Sequence, residues 1–468
     1  MPVIFWTDAL IFFLLFLVVA FVLYARNKEH LRAPWREVVR SRLGMGAAVV
    51  LAFYVAIGVL DSVHFHPPLA AASAEARYST EILSVFDVLV TPLRTRVEKT
   101  YSAPLATHLY AKETIELPQG RQIRDFPRLI YGGAHLKNPA SEKWPDIVAT
   151  IGSASGEAFL VWASLVFLTL LGLSGSRATR LRQTAFDLIA RRTEVPWLVI
   201  LLTSAVCLWL AFVCARLGMN YHLLGTDKVG QDVFYQALKS VRTGLVIGTL
   251  TTLIMLPFAT VLGIAAGYFG GWADDLIQYV YTTLSSIPGV LLIAAAILMM
   301  QVYMANHADS FTSLEARSDI RLLFLCIILG ITSWTGLCRL LRGETLKLRE
   351  LDYIQAAQAF GVGHFTVVFR HILPNVMHIV LITLVLDFSG LVLAEAVLSY
   401  INIGVDPSMN SWGNMINGAR LEMAREPIVW WSLAAAFLFM FTLVLSANIF
   451  SDAVRDAFDP RLRELGSE

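Results

Sequence analysis

His64 and His66 form a lone HxH pair beside Pro67 and Pro68, a spacing that could begin a metal site. A transition-metal ion needs three or four donors, and the pair alone does not supply them. His364, His371 and His378 recur every seven residues, but Pro374 is expected to break the helix between them, so no shared ligand face follows. Glycine is never followed by lysine, which rules out a Walker A loop, and CxxC, HExxH and GxSxG are absent. Cys207, Cys214, Cys326 and Cys338 all fall in apolar runs, where thiols behave as small apolar groups and no disulfide framework is expected. The residue types that do chemistry are not gathered for catalysis. An enzyme acting on its own is not expected.

The patterned polar stretch lies elsewhere, in DYIQAAQAFGVGHFTVVFRHILPN, residues 352–375. Ala356, Ala357 and Ala359 favour helix and present little bulk. Gly361 can take the left-handed conformation that closes a helix C-terminus. VVFRHI allows a second short helix, and Pro374 can start the next span, where a missing N–H costs least. The residues alone support two readings equally: a docking surface, or an ordinary amphipathic loop between helices.

The elements that carry this stretch are membrane spans. The chain is 56% hydrophobic and 16% charged, with a mean hydropathy of +0.62; soluble domains carry about 25% charged residues. A net charge of +1 gives no argument for nucleic acid. A spanning helix needs about 20 mostly apolar residues, and nine candidates meet that, at 3–25, 43–61, 155–175, 196–217, 241–266, 276–303, 321–341, 375–400 and 429–450. The first lacks a basic n-region and a small-residue cleavage site before the basic loop, so it reads as a retained anchor rather than a signal peptide.

Arg26, Lys28, Arg32, Arg36, Arg40 and Arg42 enrich one loop. Arg177, Arg180, Arg182, Arg191 and Arg192 enrich a second, and Arg339, Arg342, Lys347, Arg349 and Arg370 surround the 352–375 stretch. Alternate loops are poorer, with Lys228 and Lys239 in one and Arg420 and Arg425 in another. Nine spans put every rich loop on the cytoplasmic side, with the N-terminus outside and the tail bearing Arg455, Arg461 and Arg463 inside. ILSVFDVLVTPL at 82–93 is too short to cross and is placed in an external segment, 62–154, whose eight prolines disfavour long helices. Gly244/Gly248 and Gly263/Gly267 suit close helix approach, while Pro257 and Pro288 sit inside spans as tolerated kinks.

The 352–375 stretch resembles the EAA loop of binding-protein-dependent ABC importer permeases, whose pattern is E-A-A, three residues, Gly, nine residues and I-x-L-P. Ala356, Ala357, Gly361, Leu373 and Pro374 match, while Gln355 replaces the acid and His371 the isoleucine. The D-Y-I-x-A-A start, with Asp352 and Tyr353, and the R-H-I-L-P-N ending, with Arg370, are typical of the oligopeptide, dipeptide and nickel branch. LGTDKVGQDVFYQALKSVRTGL at 224–245 resembles that branch's L-G-T-D-x-x-G-R-D-V stretch at Gly225, Thr226, Asp227, Gly230 and Asp232, with Gln231 replacing the arginine. GLVLAEAVLSYINIGVDPSMNSWGNMI at 390–416 resembles its E-A-x-L-S-F-L-G-L-G-x-x-P-P-x-x-x-W-G-x-M stretch at Glu395, Leu398, Ser399, Gly404, Pro407, Trp412, Gly413 and Met415. The tail VRDAFDPRLR is also typical.

The resemblance covers 195–465 and implies an all-α polytopic fold of about nine transmembrane helices with a six-helix importer core at 195–468. Ahead of that core lie extra helices at 1–61, an extracytoplasmic insertion at 62–154, and a third extra helix with a basic loop at 155–194. It implies a non-catalytic inner-membrane subunit, with 352–374 as the ATPase-coupling loop. The implied partners are a second permease, two ATPase subunits that hold ATP and Mg, and an external binding protein that meets the 224–245 stretch and the 401–426 loop. No cofactor is expected on this chain. The expected cargo is a peptide, with nickel or another small solute as the alternative. A sensor or assembly module fused to a transport core is a reading of another class, and a channel or secondary transporter a third. Asp387, at mid-span, is expected either to meet a peptide's amino group or to pair with a polar neighbour. Glu395 is the second candidate for the pathway.

Overall fold

The computed structural model describes residues 1–26, 29–68, 78–116, 122–174, 178–190, 192–307 and 313–458. Lys28, Arg177, Arg191, Arg461 and Arg463, invoked above for orientation, lie outside the described residues, as does the end of the family-like tail.

Long helices dominate, as apolar runs in lipid demand: only a helix satisfies its own backbone there. In chain order they are α1 (Trp6–Ala25), α2 (Glu29–Arg40), α3 (Arg42–Asp61), α4 (Val85–Leu89), α5 (Thr91–Thr95), α6 (Pro139–Ser174), α7 (Ala178–Ile189), α8 (Trp197–Gly218) and α9 (Val233–Phe269). They continue as α10 (Gly271–Ser286), α11 (Gly289–Asn306), α12 (Leu314–Ser333), α13 (Thr335–Arg349), α14 (Asp352–Ala359), α15 (His364–Val367), α16 (Leu373–Tyr400), α17 (Trp412–Glu422) and α18 (Trp431–Phe458). Among the described residues nine helical stretches are long and apolar enough to cross a membrane, and they coincide with the nine expected.

Several boundaries shift from expectation, α9 starting at Val233 and the last span running to Phe458, and three of the differences lie at prolines. The third span starts at Pro139, not near 155, because a proline in a first turn forfeits no hydrogen bond. Pro288 does not kink a continuous helix: Ile287 is extended, and α10 ends before α11 begins. Pro374 does not break its helix either. A π turn at Val368–Ile372 joins α15 to α16, with Leu373 N–H reaching back to Val368 O, so His364 to Tyr400 is one helical stretch.

The chain forms two compact units, each built from several stretches. The first comprises 1–3, 36–243 and 410–450. In it β1 (Pro2–Val3), β2 (His64–Phe65) and β3 (Leu83–Ser84) form an antiparallel sheet in the order β1-β2-β3. His64 is therefore a strand residue, and His66, just after the strand, meets Glu81 O at 3.3 Å. The 82–93 run forms no span but the two single-turn helices α4 and α5, the first opened by a capping box between Ser84 and Asp87. β4 (Glu113–Glu116) and β5 (Gln122–Asp125) pair antiparallel as a separate two-stranded sheet, with β5 exposed. α6 and α8 pack side by side, joined by Trp162 Nε1 to Leu201 O at 2.8 Å and by Arg216 on Glu157.

The second unit comprises 4–35, 244–409 and 451–468. Its core is a cluster of Met255, Ile264, Tyr268, Leu341, Ile354, Val367, Ile372 and Val376 with their neighbours. α9 and α13 meet where Gly263 and Gly267 carry no side chain: a β-carbon there would stand 2.8 Å from Cys338 O and 2.6 Å from Thr345 Cβ. α1, otherwise lined by exposed apolar side chains, is fastened to α12 through Thr7, whose N–H donates to Asp319 Oδ2 at 3.2 Å.

Candidate functional site

The 352–375 stretch lies in the second unit, and its geometry follows from one buried side chain per turn. Ile354, Val367 and Ile372 are each 0% exposed and enter the core cluster. The helix they anchor is closed by Gly361 at φ +76°. Gly361 N–H bonds Gln358 O at 2.9 Å and Val362 N–H bonds Ala357 O at 3.0 Å, the paired pattern of a Schellman end. The left-handed glycine and the small-faced helix stand as the sequence predicted.

Tyr268, at the end of α9, ties the stretch down from the side. Its hydroxyl lies 2.9 Å from His364 Nδ1 and accepts from Gln358 Nε2 at 3.3 Å. Its carbonyl accepts from Arg349 Nη1 at 3.3 Å. Close by, Arg342 grips Asp274 with two hydrogen bonds, at 2.5 and 2.7 Å, which hold the Asp274 carboxyl below the ordinary carboxylate range. Gln355 donates back to Glu350 O at 3.3 Å. Tyr353 OH accepts from Asn375 at 3.1 Å, beside the His371 ring. Asp352, Gln355, Ala356 and Arg370 are exposed, Ala357, His371 and Leu373 half-buried, and Pro374 opens α16.

What the motif reading missed are the aromatics. Phe360, just after α14, is 88% exposed, and Phe365 at 82% and Phe369 at 64% lie on the helical stretch that follows. Large apolar groups so exposed beside an anchored turn are candidates for contact with another protein or with lipid. The signal was available: three phenylalanines within ten residues between charged loops.

The 224–245 stretch lies, as far as Thr243, in the first unit and is largely covered by the chain itself. Thr226 is 0% exposed; its Oγ1 accepts from Ser102 N–H at 2.7 Å and donates to Thr100 O at 2.8 Å. Gly225 and Gly230 both have positive φ, and a β-carbon on either would strike the 98–102 backbone. Asp232 caps α9 through Tyr235 N–H at 3.1 Å and holds His222 Nδ1 at 2.7 Å. The other imidazole nitrogen lies 3.4 Å from Glu98, whose carboxylate also accepts the N–H groups of Ile130, Tyr131 and Gly132. Burial opposes the charge on His222, but the bonds to Asp232 and Glu98 outweigh it and lift its pKa to about 9. Burial likewise opposes ionised Glu98, yet His222 and the three N–H groups bring it to about 2. Asp227 organises its turn by accepting from Val229 and Gln231 N–H, each at 2.9 Å. Only Lys228, Val229 and Gln231 of this turn are exposed.

The 390–416 stretch is divided between the units. In the second, Glu395 is buried and accepts from Ser399 Oγ at 2.7 Å, which in turn accepts Val405 N–H at 3.2 Å. Glu395 thus holds a turn rather than facing open space, and Gly404 packs where a β-carbon would stand 2.2 Å from Ser399 Oγ. Asp406 is kept ionised by Ser408 and Arg321 against the effect of burial, while Pro407 is exposed. Asp387, half-buried at the middle of α16, makes no hydrogen bond or ion pair among the described residues, so the expected polar neighbour is not found there. In the first unit Trp412 and Gly413 are buried, with Trp412 Nε1 donating to Ala237 O at 3.0 Å.

Among the described residues no three His, Cys, Asp or Glu are placed to hold a metal ion, and all four cysteines are free.

Residues 259–464 match the family described as the binding-protein-dependent transport system inner membrane component. A glutathione transport system permease protein of Pectobacterium atrosepticum is 32% identical over 281 residues, 57% of this chain and 86% of the relative. An oligopeptide transport system permease protein of Haemophilus influenzae is 31% identical over 255 residues, 54% of this chain and 75% of the relative. A dipeptide transport system permease protein of Bacillus subtilis is 27% identical over 242 residues, 52% of this chain and 69% of the relative. With most of a relative's length matched on a nine-span helical frame, the chain belongs to the binding-protein-dependent ABC importer permeases, on their peptide branch.

Proposed function

We propose that this chain is one membrane subunit of an ATP-driven importer of peptides or peptide-like solutes, supplied by an external binding protein. A second permease completes the pathway, and two ATPase subunits hold ATP and Mg and perform the hydrolysis. The N-terminus lies outside and the 352–375 stretch inside, in agreement with the distribution of arginine and lysine among the loops. Solute class rests on the glutathione, oligopeptide and dipeptide relatives.

The observation that carries this reading is the turn after α13. α14 is pinned at its base by Ile354 and Tyr268, and its tip is crowned by exposed Phe360 and Phe365. A rigid, anchored element with an apolar tip can be pushed without bending, as transmission of ATPase closure to the spans requires. Purification of the tagged chain from its native membrane tests the reading. Recovery of two ATPase subunits and a second permease is expected, and recovery of the chain alone, with uptake independent of ATP, overturns it.

A further inference from the structure

Between the first turns of α3 and α8 lies a cavity of about 130 Å³, lined by Arg40, Arg42, Leu188, Glu194, Trp197 and Leu198 among others. That is far more room than one water needs. All of these residues belong to the first unit. α3 and α8 come close at Gly46, whose β-carbon position is 3.4 Å from Val199, itself a lining residue.

The depth of this cavity is set by its walls. Arg42 and Trp197 are the first residues of two membrane-spanning helices, so both stand where hydrocarbon gives way to headgroups. Arg42 is exposed and pairs with no acid among the described residues. Arg40 reaches Glu194 at 3.2 Å and Glu37 at 3.5 Å, all three on open surface where such pairs are loosely held. Two guanidiniums beside a polar hollow suit a phosphate, which they can bind through paired N–H groups. From the cavity wall, Leu198 continues along one face of α8 to Leu202 and Val206 at four-residue spacing, and the latter two are exposed.

We infer that this cavity seats the phosphate of an anionic phospholipid, with an acyl chain lying along Leu198, Leu202 and Val206. A free phosphate would fill the basic hollow but leave that apolar track unused. The site shares no residue with the coupling turn and does not depend on the transported solute.

Native mass spectrometry of the purified transporter, supplied with phosphatidylglycerol or with phosphatidylcholine, tests it. The wild type is expected to retain phosphatidylglycerol about tenfold or more in preference to phosphatidylcholine. Arg42→Gln should lose that preference for one bound lipid. Leu198→Trp should lose it too, because it fills the cavity while leaving both arginines in place. Arg42 is exposed, so an unchanged thermal midpoint and elution profile will show that folding is intact. Equal retention of the two lipids, or a preference that survives both variants, overturns the site. Displacement of the lipid by millimolar inorganic phosphate would make it a soluble-anion site and overturn the lipid assignment.

Discussion

Glu98 N–H donates to Gly230 O at 2.9 Å, and a β-carbon on Gly230 would stand 1.8 Å from the Glu98 carbonyl oxygen. Gly230 also has φ +79°, so any other residue meets both backbone strain and a backbone collision. Gly230→Ala should destabilise the fold by about 3 kcal/mol. A drop in the thermal midpoint of the purified chain measures this. An unchanged midpoint would mean that the 98–102 segment does not bear on the motif as described.

The buried set Glu98–His222–Asp232 gives the same contact a pH dependence. His222 rises from 6.5 to about 9 on folding, so its contribution is complete below pH 6.5 and is lost as pH climbs through 9. Glu98 falls from 4.5 to about 2, so its contribution is complete above pH 4.5 and is lost as pH drops toward 2. Thermal midpoints should therefore peak between pH 4.5 and 6.5 as far as this pair is concerned. Glu98→Gln should lower the plateau by roughly 2 kcal/mol, since hydrogen bonds to a charged acceptor are lost. It should also flatten the alkaline limb, because His222 then loses one of its two acids. A variant with an unaltered alkaline limb would show that Glu98 does not hold the imidazolium.

The spans were legible because hydrocarbon leaves a chain little choice: a run of about 20 apolar residues must be a helix, whatever its neighbours. Gly361 was legible for a similarly local reason, a helix end that only a left-handed residue closes. Boundaries failed at Pro139 and Pro374, where proline was read as a stop although a first turn and a π turn both absorb its missing N–H. Coverage of Thr226 could not be read at all. Its partner Ser102 lies 124 positions earlier, and nothing local to L-G-T-D announces it. The motif was expected to meet a binding protein; in this fold its buried members serve the chain's own packing, and Lys228, Val229 and Gln231 are the exposed residues of the turn.

Phe360 and Phe365 contribute little to the chain's own core, being 88% and 82% exposed. Phe360→Ser with Phe365→Ser should shift the thermal midpoint of the isolated chain negligibly. Covered by an ATPase, each ring would lose on the order of 2 kcal/mol of burial, enough to weaken co-purification more than tenfold for the pair. Retained ATPase binding in the double variant would place the docking surface elsewhere.

A β-carbon on Gly361 would meet nothing within 4 Å, so substitution there tests conformation alone. Gly361→Ala should cost roughly 1 kcal/mol locally, and Gly361→Asn less, because asparagine tolerates the left-handed region. The expected result is uptake reduced more in the alanine variant than in the asparagine variant, with ATPase still bound. Equal uptake in all three forms would show that the shape of the turn does not matter to coupling.

Asp387 stands at the middle of the 28-residue α16, and the rotation of that helix is fixed where Phe388 packs on Gly248, whose β-carbon position is 2.4 Å from the ring. The neighbouring side chain is therefore held in one direction rather than free to turn toward either face. An ionised group at that depth is expensive unless something answers it, and within the described chain nothing does. On the proposed assembly, a second permease or the solute could supply an answering charge. If it is the amino group of a peptide, Asp387→Asn should shift the uptake ratio of cationic to anionic peptides about tenfold toward the anionic, the equivalent of about 1.4 kcal/mol. Competition uptake in reconstituted vesicles reads this ratio directly. A fall in both rates with the ratio unchanged would assign Asp387 to the partner subunit and remove it from the solute's path.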